Sequence, residues 1–272
     1  MTQAETLSGK VIVVTGGLGQ IGHLLTHKFL DTGAKVAVFN RSIPATAELE
    51  KRFPVNSGSL LFAKVDVTDA DQFKEGLQLV ERHWETPHVL VNNAGLDSKP
   101  TDPPSVNGPF EDYPLDAWRR VIDVNVTGVM LGCQVVGAAM ARKGRGSIIN
   151  VGSIYGLTSP VQDIYRFRQE RDGVPFFKNA AYSTSKSALL NMTRHLATYW
   201  GKAGVRVNVV TFGGIHNPGQ DPQFIQNYTE KVPMGRQAKV DECWGPVHFL
   251  ASDASSYVTG SNVVMDGGWT AW

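Results

Sequence analysis

Cysteine is scarce in this sequence, since Cys133 and Cys243 are the only two among 272 residues. Neither has a CxxC neighbour or a histidine at metal-ligand spacing, so the sequence contains neither a disulfide framework nor a thiolate metal site. Both cysteines lie in segments with helical patterning, and we expect them to be buried free thiols. We expect no bound metal.

No sign of charge dominates either. The chain has 26 Lys and Arg against 25 Asp and Glu, without a long run of one sign. This balance argues against a nucleic-acid or anionic-membrane surface and favours a small-molecule partner. The first ten residues lack the basic and apolar regions of a secretory signal, and no later stretch approaches the length of a membrane span. We therefore expect a cytoplasmic protein with no membrane or nucleic-acid partner.

What the sequence does contain is a series of short apolar runs rich in β-branched residues, separated by stretches long enough for a helix. This alternation indicates a parallel sheet covered on both faces. No linker or repeat marks a second domain. We predict a single α/β domain over residues 1–272, a Rossmann fold with a doubly wound, seven-stranded parallel sheet. The strand candidates are residues 11–14, 36–39, 60–65, 89–91, 147–151, 205–210 and 262–265.

Three longer segments, at about 96–114, 158–179 and 214–234, are candidate substrate loops. The first two interrupt the regular rhythm and follow the carboxyl ends of strands, where an open α/β sheet binds its ligands. Long loops at that edge are more often functional than decorative.

The first strand runs into a glycine-rich turn, "VVTGGLGQIG", at residues 13–22. A strand–glycine–helix turn presents backbone N–H groups and the positive end of a helix dipole to a phosphate. Glycine is needed because a Cβ would obstruct both the turn and the phosphate. A tight turn without a ligand would show the same glycines, but its place at the first strand of an α/β series favours phosphate binding.

The second strand ends in Asn40 and Arg41, where an NAD site usually has Asp or Glu to bind the ribose hydroxyls. An uncharged residue does not repel a 2′-phosphate, and the Arg41 guanidinium could pair with one. This favours NADP(H). The alternative, with Arg41 solvated and Asn40 on a ribose hydroxyl, leaves NAD(H) open. Asp66 and Val67, after the third strand, are placed to meet an adenine ring.

Tyr182 and Lys186 lie four residues apart in a helical segment and therefore share a face. A tyrosine with a pKa near 10 is a poor acid-base group at neutral pH, and a nearby ammonium would lower that pKa. Ser153 follows the fifth strand, where it could hydrogen-bond a substrate oxygen. Asn125 lies in the apolar helix before that strand, and alone it could equally be a satisfied core amide.

The glycine turn, Asn125, Ser153, and Tyr182 with Lys186 are joined by "NNAG" at 92–95 and by the ending "FLASDASSYVTGSNVVMDGG". In their order and their placement relative to the strands, these features resemble the classical short-chain dehydrogenase/reductase family, and the resemblance covers essentially the whole chain. The resemblance implies hydride transfer between a nicotinamide and a carbinol or carbonyl carbon, in a homo-oligomer that is a tetramer or dimer. It implies that Tyr182 is the general acid-base and that Ser153 orients the substrate oxygen. It further implies that Lys186 binds the nicotinamide ribose and lowers the tyrosine pKa, and that Asn125 holds a water in a proton relay. The implied cofactor-binding residues are Thr15, Gly16, Leu18, Gly19, Gln20, Ile21, Asn40, Arg41, Asp66, Val67, Asn92, Ala94, Gly95, Val124, Tyr182, Lys186, Gly213 and Ile215.

The sequence departs from the family pattern at three places. Gln20 stands where the form T-G-x-x-x-G-x-G has its middle glycine. Phe212 replaces the usual proline after the sixth strand, and it either packs on the nicotinamide or belongs to the core. Tyr182 lies 29 positions after Ser153, a markedly wider gap than the family norm.

The extra residues, roughly 161–178, contain a candidate helix at 164–172 that ends at Gly173 and has Ile164, Phe167, Arg168 and Arg171 on one face. The two arginines could bind a phosphate or carboxylate on the substrate. A solvated charged helix is the alternative. Arg168, Arg171 and Tyr155 are the predicted substrate contacts.

A looser resemblance, through "SIYG", "LATYW", "VPMGR" and "DGGW", is to family members associated with bacterial surface-sugar and flagellin-glycan synthesis. It implies a sugar or sugar derivative as substrate. The main hypothesis is therefore an NADP(H)-dependent oxidoreductase that acts on a secondary alcohol or ketone. One alternative is a 3-oxoacyl-thioester reductase. Another is a non-catalytic nucleotide-binding regulator, which Gln20 and Phe212 motivate.

Overall fold

The fold is described from a computed structural model, which describes residues 6–53, 58–98 and 102–272. Residues 1–5 of the polar start and residues 99–101 of the first candidate substrate loop lie outside the described residues. Strands form at each predicted run, with ends that differ by up to two residues. Their bounds are β1 Val11–Thr15, β2 Lys35–Asn40, β3 Leu60–Lys64, β4 Val89–Asn92, β5 Gly146–Ser153, β6 Val205–Phe212 and β7 Asn262–Met265.

The strands form one parallel sheet in the order β3-β2-β1-β4-β5-β6-β7. The chain leaves β1 toward β2 and β3 on one side and returns through β4 on the other. The strand order therefore reverses between β1 and β4, which is the switch point where a doubly wound sheet binds ligands. This confirms the predicted single α/β domain with a seven-stranded parallel sheet.

Helices connect the strands and cover both faces of the sheet. Their bounds are α1 Gln20–Asp31, α2 Thr46–Arg52, α3 Ala70–His83, α4 Pro104–Asn107, α5 Leu115–Lys143, α6 Arg166–Asp172, α7 Ala180–Trp200, α8 Pro222–Thr229 and α9 Trp244–Ala251.

Two apolar clusters form the core, one on each face of the sheet. Alternate residues of β1 divide between them: Ile12 and Val14 pack with α1, α2 and α9, whereas Val11 and Val13 pack with α3, α5 and α7. Each of these four side chains is fully buried, which is worth roughly 1.5–3 kcal/mol per side chain relative to exposure. Burial on both faces explains why the strands read as continuous apolar runs.

The helix α5 is 29 residues long and, by length and composition alone, could cross a membrane. The expectation that no segment reaches that length is therefore wrong for α5. Half of its most apolar window is buried inside the fold, and the helix packs against α7 and α3. Its apolar character follows from this double packing. Two π-helical stretches, Asp123–Thr127 and Cys133–Gly137, lie within it.

Both cysteines are buried and free, as predicted. Cys133 lies within α5, and Cys243 ends a short 3-10 turn before α9. Burial raises the pKa of each thiol to about 12, which keeps both protonated and unreactive at neutral pH. Among the described residues, no group of three His, Cys, Asp or Glu side chains could hold a metal ion.

The segment between Ser153 and Tyr182 folds as a 3-10 turn, Gln162–Tyr165, followed by α6. The predicted helix is thus present, but it begins as a 3-10 turn and becomes α-helical at Arg166. Gly173 ends it in the left-handed region, at a φ of 69°. Ile164 and Tyr165 are buried in a third apolar cluster with Tyr228 and Trp269. The insertion is therefore packed against the loop after β6 and is not a free surface loop.

Candidate active site

The glycine turn after β1 has the geometry of a phosphate cradle. Gly16 has a φ of 64°, and its N–H donates to the carbonyl of Phe39 on β2 at 2.8 Å. The helix α1 begins directly afterwards, with Gly19 as its N-cap. A Cβ on Gly22 would lie 2.3 Å from the Gly16 oxygen, so only glycine allows α1 to approach the turn this closely.

Two side chains support this turn, Thr15 at the end of β1 and Asn93 directly after β4. The Thr15 hydroxyl oxygen accepts hydrogen bonds from the N–H groups of Asn93 and Ala94, both at 3.0 Å. The Asn93 amide donates in return to the carbonyls of Thr15 and Gly16, at 3.0 and 3.2 Å. Thr15 is 2% exposed, so its side chain supports the turn from beneath. Asn93 is a functional candidate that the sequence reasoning missed, although it lies in the quoted "NNAG".

Asn92 is a predicted cofactor-binding residue whose side chain has partners inside the fold. It is 3% exposed, and its amide donates to the Asn150 side chain at 2.9 Å. A second contact runs to the Cys133 sulfur at 3.5 Å. The Asn92 side chain therefore faces the interior, and a contact between its backbone and the cofactor stays a prediction.

Gln20, which replaces a glycine, reaches across the site. Its side-chain amide donates to the carbonyl of His216 at 2.8 Å, joining the start of α1 to the loop after β6. On the other side of the turn, Arg52 donates to the carbonyl of Leu18 at 3.0 Å. Both ends of the glycine turn are therefore tied to neighbouring segments.

A cavity of about 330 Å³ lies where the adenosine half of a dinucleotide was predicted. Arg41, Asp66 and Val124, three predicted contacts, line it. Val67 does not line it and lies against Gly128 of α5. Asn40 donates to the carbonyl of Ser42 at 2.9 Å. The remaining lining residues are Thr68, Asp116, Arg119, Arg120 and Asp123.

A second cavity, of about 190 Å³, adjoins the carboxyl end of β5 and contains Ser153, Tyr182 and Lys186 together. Ser153 is the last residue of β5, and Tyr182 lies in the first turn of α7, where its N–H donates to the Asn179 side chain. Lys186 lies one helical turn further and donates to the carbonyl of Val151 at 2.8 Å. The other lining residues are Ile21, Asn93, Gly95, Leu96, Asp97, Val151, Gly152, Phe212, Gly213 and Ile215.

Burial governs the electrostatics of this cavity. It lowers the pKa of Lys186 to about 8, because the ammonium is removed from water. It also raises the pKa of Tyr182 well above its usual value, with the carboxylate of Asp97 adding to the rise and the Ser153 hydroxyl opposing it. The tyrosine of the nucleotide-free protein is therefore a neutral phenol, because burial outweighs the lowering of the pKa that a nearby ammonium is expected to give.

Asn125 lies in the first π-helical stretch of α5 and is fully buried. Its amide oxygen accepts from the N–H of Leu96 at 2.7 Å, and its nitrogen donates to the carbonyl of Leu96 at 2.9 Å. A further bond reaches the Ser185 hydroxyl at 3.0 Å. The side chain thus fixes the chain after "NNAG", in the manner of a satisfied buried amide. A role in a water relay stays a prediction.

A third cavity, of about 690 Å³, adjoins the second one and shares Ser153, Tyr182 and Asp97 with it. Tyr155 and Arg168 line it, as expected for substrate contacts. Arg171 does not. Its guanidinium pairs with Asp172 and Asp221, both at 2.8 Å, and faces solvent. The prediction of two arginines facing the substrate is therefore wrong for Arg171, because these carboxylates hold it outside.

These cavities fit a nicotinamide dinucleotide. The glycine turn leaves room for a pyrophosphate at the start of α1, with a cavity for adenosine on one side. On the other side, the 190 Å³ cavity is walled by Phe212, Gly213 and Ile215, with the Lys186 ammonium in its lining. A Cβ on Gly95 would lie 3.6 Å from that ammonium, so the chain passes close to it there. Phe212 is buried in the core and also lines this cavity, and its packing on a nicotinamide stays a prediction.

Comparison with known proteins agrees with this geometry. The family model described as enoyl-(acyl carrier protein) reductase matches residues 16–270. A 3-alpha-(or 20-beta)-hydroxysteroid dehydrogenase of Mycobacterium tuberculosis is 33% identical, over 97% of this chain and 91% of that protein. A short chain dehydrogenase from Leptospira borgpetersenii, solved with bound NAD+, matches with a TM-score of 0.85 and 31% identity, over 99% of this chain and 96% of the other. The chain belongs to the short-chain dehydrogenase/reductase family.

Membership extends over the whole chain and makes it an NAD(P)-dependent dehydrogenase or reductase that acts on CH–OH groups. A gluconate 5-dehydrogenase from Burkholderia cenocepacia, solved in complex with NADP and tartrate, is another similar structure. Its TM-score is 0.84 at 26% identity, over 99% of this chain and 98% of the other. Relatives of this short-chain dehydrogenase therefore bind either nicotinamide dinucleotide, and the choice here is a separate question.

Proposed function

We propose that this short-chain dehydrogenase/reductase transfers hydride between NADP(H) and a secondary alcohol or ketone of a polar, sugar-like substrate. One observation supports the assignment most directly. Ser153 and Tyr182 lie on the boundary between the cavity that fits nicotinamide and the larger cavity, so both residues face both compartments. A substrate oxygen at that boundary would meet both hydroxyls, with its carbon directed toward the nicotinamide.

The bound dinucleotide would accept or give the hydride, and the residues of the chain would manage the proton. In the oxidation direction, the substrate hydroxyl gives its proton to the Tyr182 phenolate as hydride leaves the carbinol carbon; reduction reverses both transfers. Ser153 would hold the same oxygen. The Lys186 ammonium, with its Nζ 5.8 Å from the centre of the Tyr182 ring, favours the phenolate. Burial opposes this effect and keeps the phenol neutral in the nucleotide-free protein.

The preference for NADP(H) is supported by Arg41, which follows β2 and lines the adenosine cavity. Two further arginines, Arg119 and Arg120, line it together with Asp66, Asp116 and Asp123. Arg119 lies 3.8 Å from Asp116, an exposed and weak pair. A 2′-phosphate brought near Arg41 would form charge-assisted hydrogen bonds of the kind that a guanidinium makes with phosphate oxygens.

The proposed substrate class is supported by the lining of the 690 Å³ cavity. Aromatic side chains form one wall, and polar groups, among them Arg168, Asn217 and Gln220, point into the rest. This mixture suits a compact molecule with several hydroxyl groups or a carboxylate. Tartrate, bound in the gluconate 5-dehydrogenase of Burkholderia cenocepacia, is a molecule of this kind.

The cofactor part is tested by titration with NADPH and NADH, followed through quenching of tryptophan fluorescence. We expect tighter binding of NADPH and loss of that preference in Arg41→Ala. Arg142→Ala, which removes an exposed arginine remote from the cavity, is the matched control. Equal binding of both cofactors to wild type would contradict the NADP(H) assignment. The substrate class is tested by assaying the wild-type protein with hydroxy acids, ketoses and their phosphates. Tyr182→Phe, which lacks the proposed acid-base group, is the control.

A second candidate, reduction of a 3-oxoacyl thioester, is favoured by the description of the matching family model as an enoyl-(acyl carrier protein) reductase. An acyl chain would need an apolar channel, whereas Arg168 and Lys178 enter this cavity. Turnover of an acetoacetyl thioester faster than any hydroxy acid or ketose would select this candidate. The non-catalytic regulator is disfavoured because the named relatives are dehydrogenases and Asn125, Ser153, Tyr182 and Lys186 are all present in this chain.

We also propose that the protein is a cytoplasmic dimer or tetramer, joined through the two long helices and the C-terminal segment. Exposed apolar side chains on those elements support this, with Tyr199 on α7 71% exposed and Trp272 81% exposed. Sedimentation of the purified protein tests the proposal, and a monomer at assay concentration would contradict it.

A further inference from the structure

The insertion between Ser153 and Tyr182 delivers a second lysine to the acid-base tyrosine. The Nζ of Lys178 lies 4.8 Å from the centre of the Tyr182 ring and 5.9 Å from that of Tyr155. The Nζ of Lys186, the lysine expected from the family pattern, lies 5.8 Å from the Tyr182 ring centre. In this structure the ammonium of Lys178 is thus the closer of the two.

The backbone of Lys178 is held on both sides by one side chain. The Gln162 amide oxygen accepts from the Lys178 N–H at 2.9 Å, and its nitrogen donates to the Lys178 carbonyl at 3.0 Å. Gln162 starts the 3-10 turn at the other end of the same insertion. The two ends of the insertion are therefore fastened together immediately before α7, at the point where Lys178 enters the cavity.

The ammonium has a fixed counter-ion. Lys178 Nζ lies 2.5 Å from the Asp97 carboxylate, and only 9% of the Lys178 side chain is exposed, against 42% for Asp97. Asp97 follows "NNAG" and lines both cavities. A carboxylate at this place would, without a partner, oppose the formation of a phenolate on Tyr182.

In the part of the chain that the structure describes, four charged or titratable side chains lie around Tyr182. They are Lys186 from the same helix, Lys178 from the insertion, Asp97 from the segment after β4, and the neutral phenol of Tyr155. Asp97 raises the pKa of Tyr182, and burial acts in the same direction. Two ammonium groups therefore oppose one carboxylate and the cost of burial.

We propose that Lys178 is a positioning residue for Tyr182: its ammonium, held by Gln162 and Asp97, favours the phenolate and cancels the charge of Asp97. The proposal rests on the proposed function, in which Tyr182 exchanges the proton. It also gives the insertion a task, because without residues 162–178 there is no second ammonium at this ring.

The test measures the titration of Tyr182 in two ways. The first is the pH dependence of kcat/KM for alcohol oxidation, whose acid limb follows the phenolate. The second is tyrosinate ultraviolet absorbance of the nucleotide-free protein, taken as the difference between each variant and the same variant carrying Tyr182→Phe. The second readout needs no substrate, so it tests Lys178 even if the proposed activity is absent.

In Lys178→Met, we expect both titrations to move to higher pH by about one unit, because an opposite charge at this range shifts a pKa by one to three units. Asp97→Asn should move them to lower pH. The double variant should lie close to wild type, and Lys178→Arg should restore the wild-type titration. Unchanged titrations in Lys178→Met would overturn the proposal.

The Lys178→Arg variant and a check of folding distinguish the proposed electrostatic role of Lys178 from a purely structural one. If Lys178→Met and Lys178→Arg both lose activity with the Tyr182 titration unmoved, Lys178 shapes the cavity only and the proposal fails. If Lys178→Met does not fold, Asp97→Asn and Lys178→Arg decide. A Tyr182 titration that moves to lower pH in Asp97→Asn and stays at the wild-type pH in Lys178→Arg supports the proposal, and no movement in Asp97→Asn refutes it.

Discussion

The hydrogen bonds that Asn93 donates to the glycine turn test whether the protein holds this turn in its binding shape before the cofactor binds. Asn93→Ala removes two hydrogen bonds, from the Asn93 amide to the carbonyls of Thr15 and Gly16 at 3.0 and 3.2 Å. A neutral hydrogen bond contributes about 0.5–1.5 kcal/mol, so the loss should be about 1–3 kcal/mol. If that energy holds the turn in its binding shape, the Kd for NADPH should rise by roughly 5- to 150-fold.

The assay combines NADPH titration with urea unfolding of the nucleotide-free protein. Asn208→Ala is the matched control, because the Asn208 side chain makes two similar bonds, to Val258 and Ser261, far from the turn. We expect both variants to lose stability but only Asn93→Ala to lose affinity. Asn93→Asp should resemble Asn93→Ala, since a carboxylate cannot donate to the two carbonyls. Equal NADPH affinity in Asn93→Ala and wild type would show that these hydrogen bonds serve folding only.

Three other changes test separate parts of the site. Tyr182→Phe should lower kcat by about 10²- to 10⁴-fold with little change in NADPH binding, and retention of more than a tenth of the rate would remove Tyr182 as the acid-base group. Burial lowers the pKa of Lys186 to about 8 from an ordinary 10.5, so its charged form costs stability below that pKa and this cost fades as pH rises. Urea unfolding should therefore show that the free energy of unfolding of wild type, relative to that of Lys186→Met, rises by about 2 kcal/mol from about pH 7 to about pH 10. A difference between the two proteins that stays constant with pH would contradict this. Gln20→Gly deletes the bond to His216 at 2.8 Å and should speed NADPH release in stopped-flow displacement, whereas an unchanged release rate would mean that this exposed bond is not a latch.

The sheet could be predicted because its signal is local. Runs such as Val11–Val14 are apolar on both sides, and only a strand covered on both faces needs that pattern. The glycine turn was equally readable, since Gly22 must be small to let α1 approach Gly16. Tyr182 and Lys186 could be placed together because α7 brings residues four apart to one face, and Ser153 could be placed because it ends β5 at the ligand-binding edge of the sheet.

The sequence does not reveal side-chain partners that are distant along the chain. Asn92 and Asn93 look alike in "NNAG", yet the alternation of strand residues turns the first to Asn150 in the interior and the second to the turn. Arg171 lies on the predicted face of α6, but Asp221, fifty positions later, captures it. No periodicity reveals a partner at that separation, so only the packed structure separates the ligand-facing arginine from the solvated one.

The wide gap between Ser153 and Tyr182 illustrates the same point in a functional setting. From sequence, the insertion is a charged helix, and its arginines attract attention because guanidinium groups bind anions. In the structure, one of these arginines is neutralised outside the cavity, while Lys178, which no pattern singled out, is enclosed beside Tyr182. Lys178 reaches that place because Gln162 fastens its backbone and Asp97 accepts its charge. In the proposed function, the insertion would therefore act on the acid-base group itself as well as on the substrate pocket, through the residues Gln162 and Lys178 near its two ends.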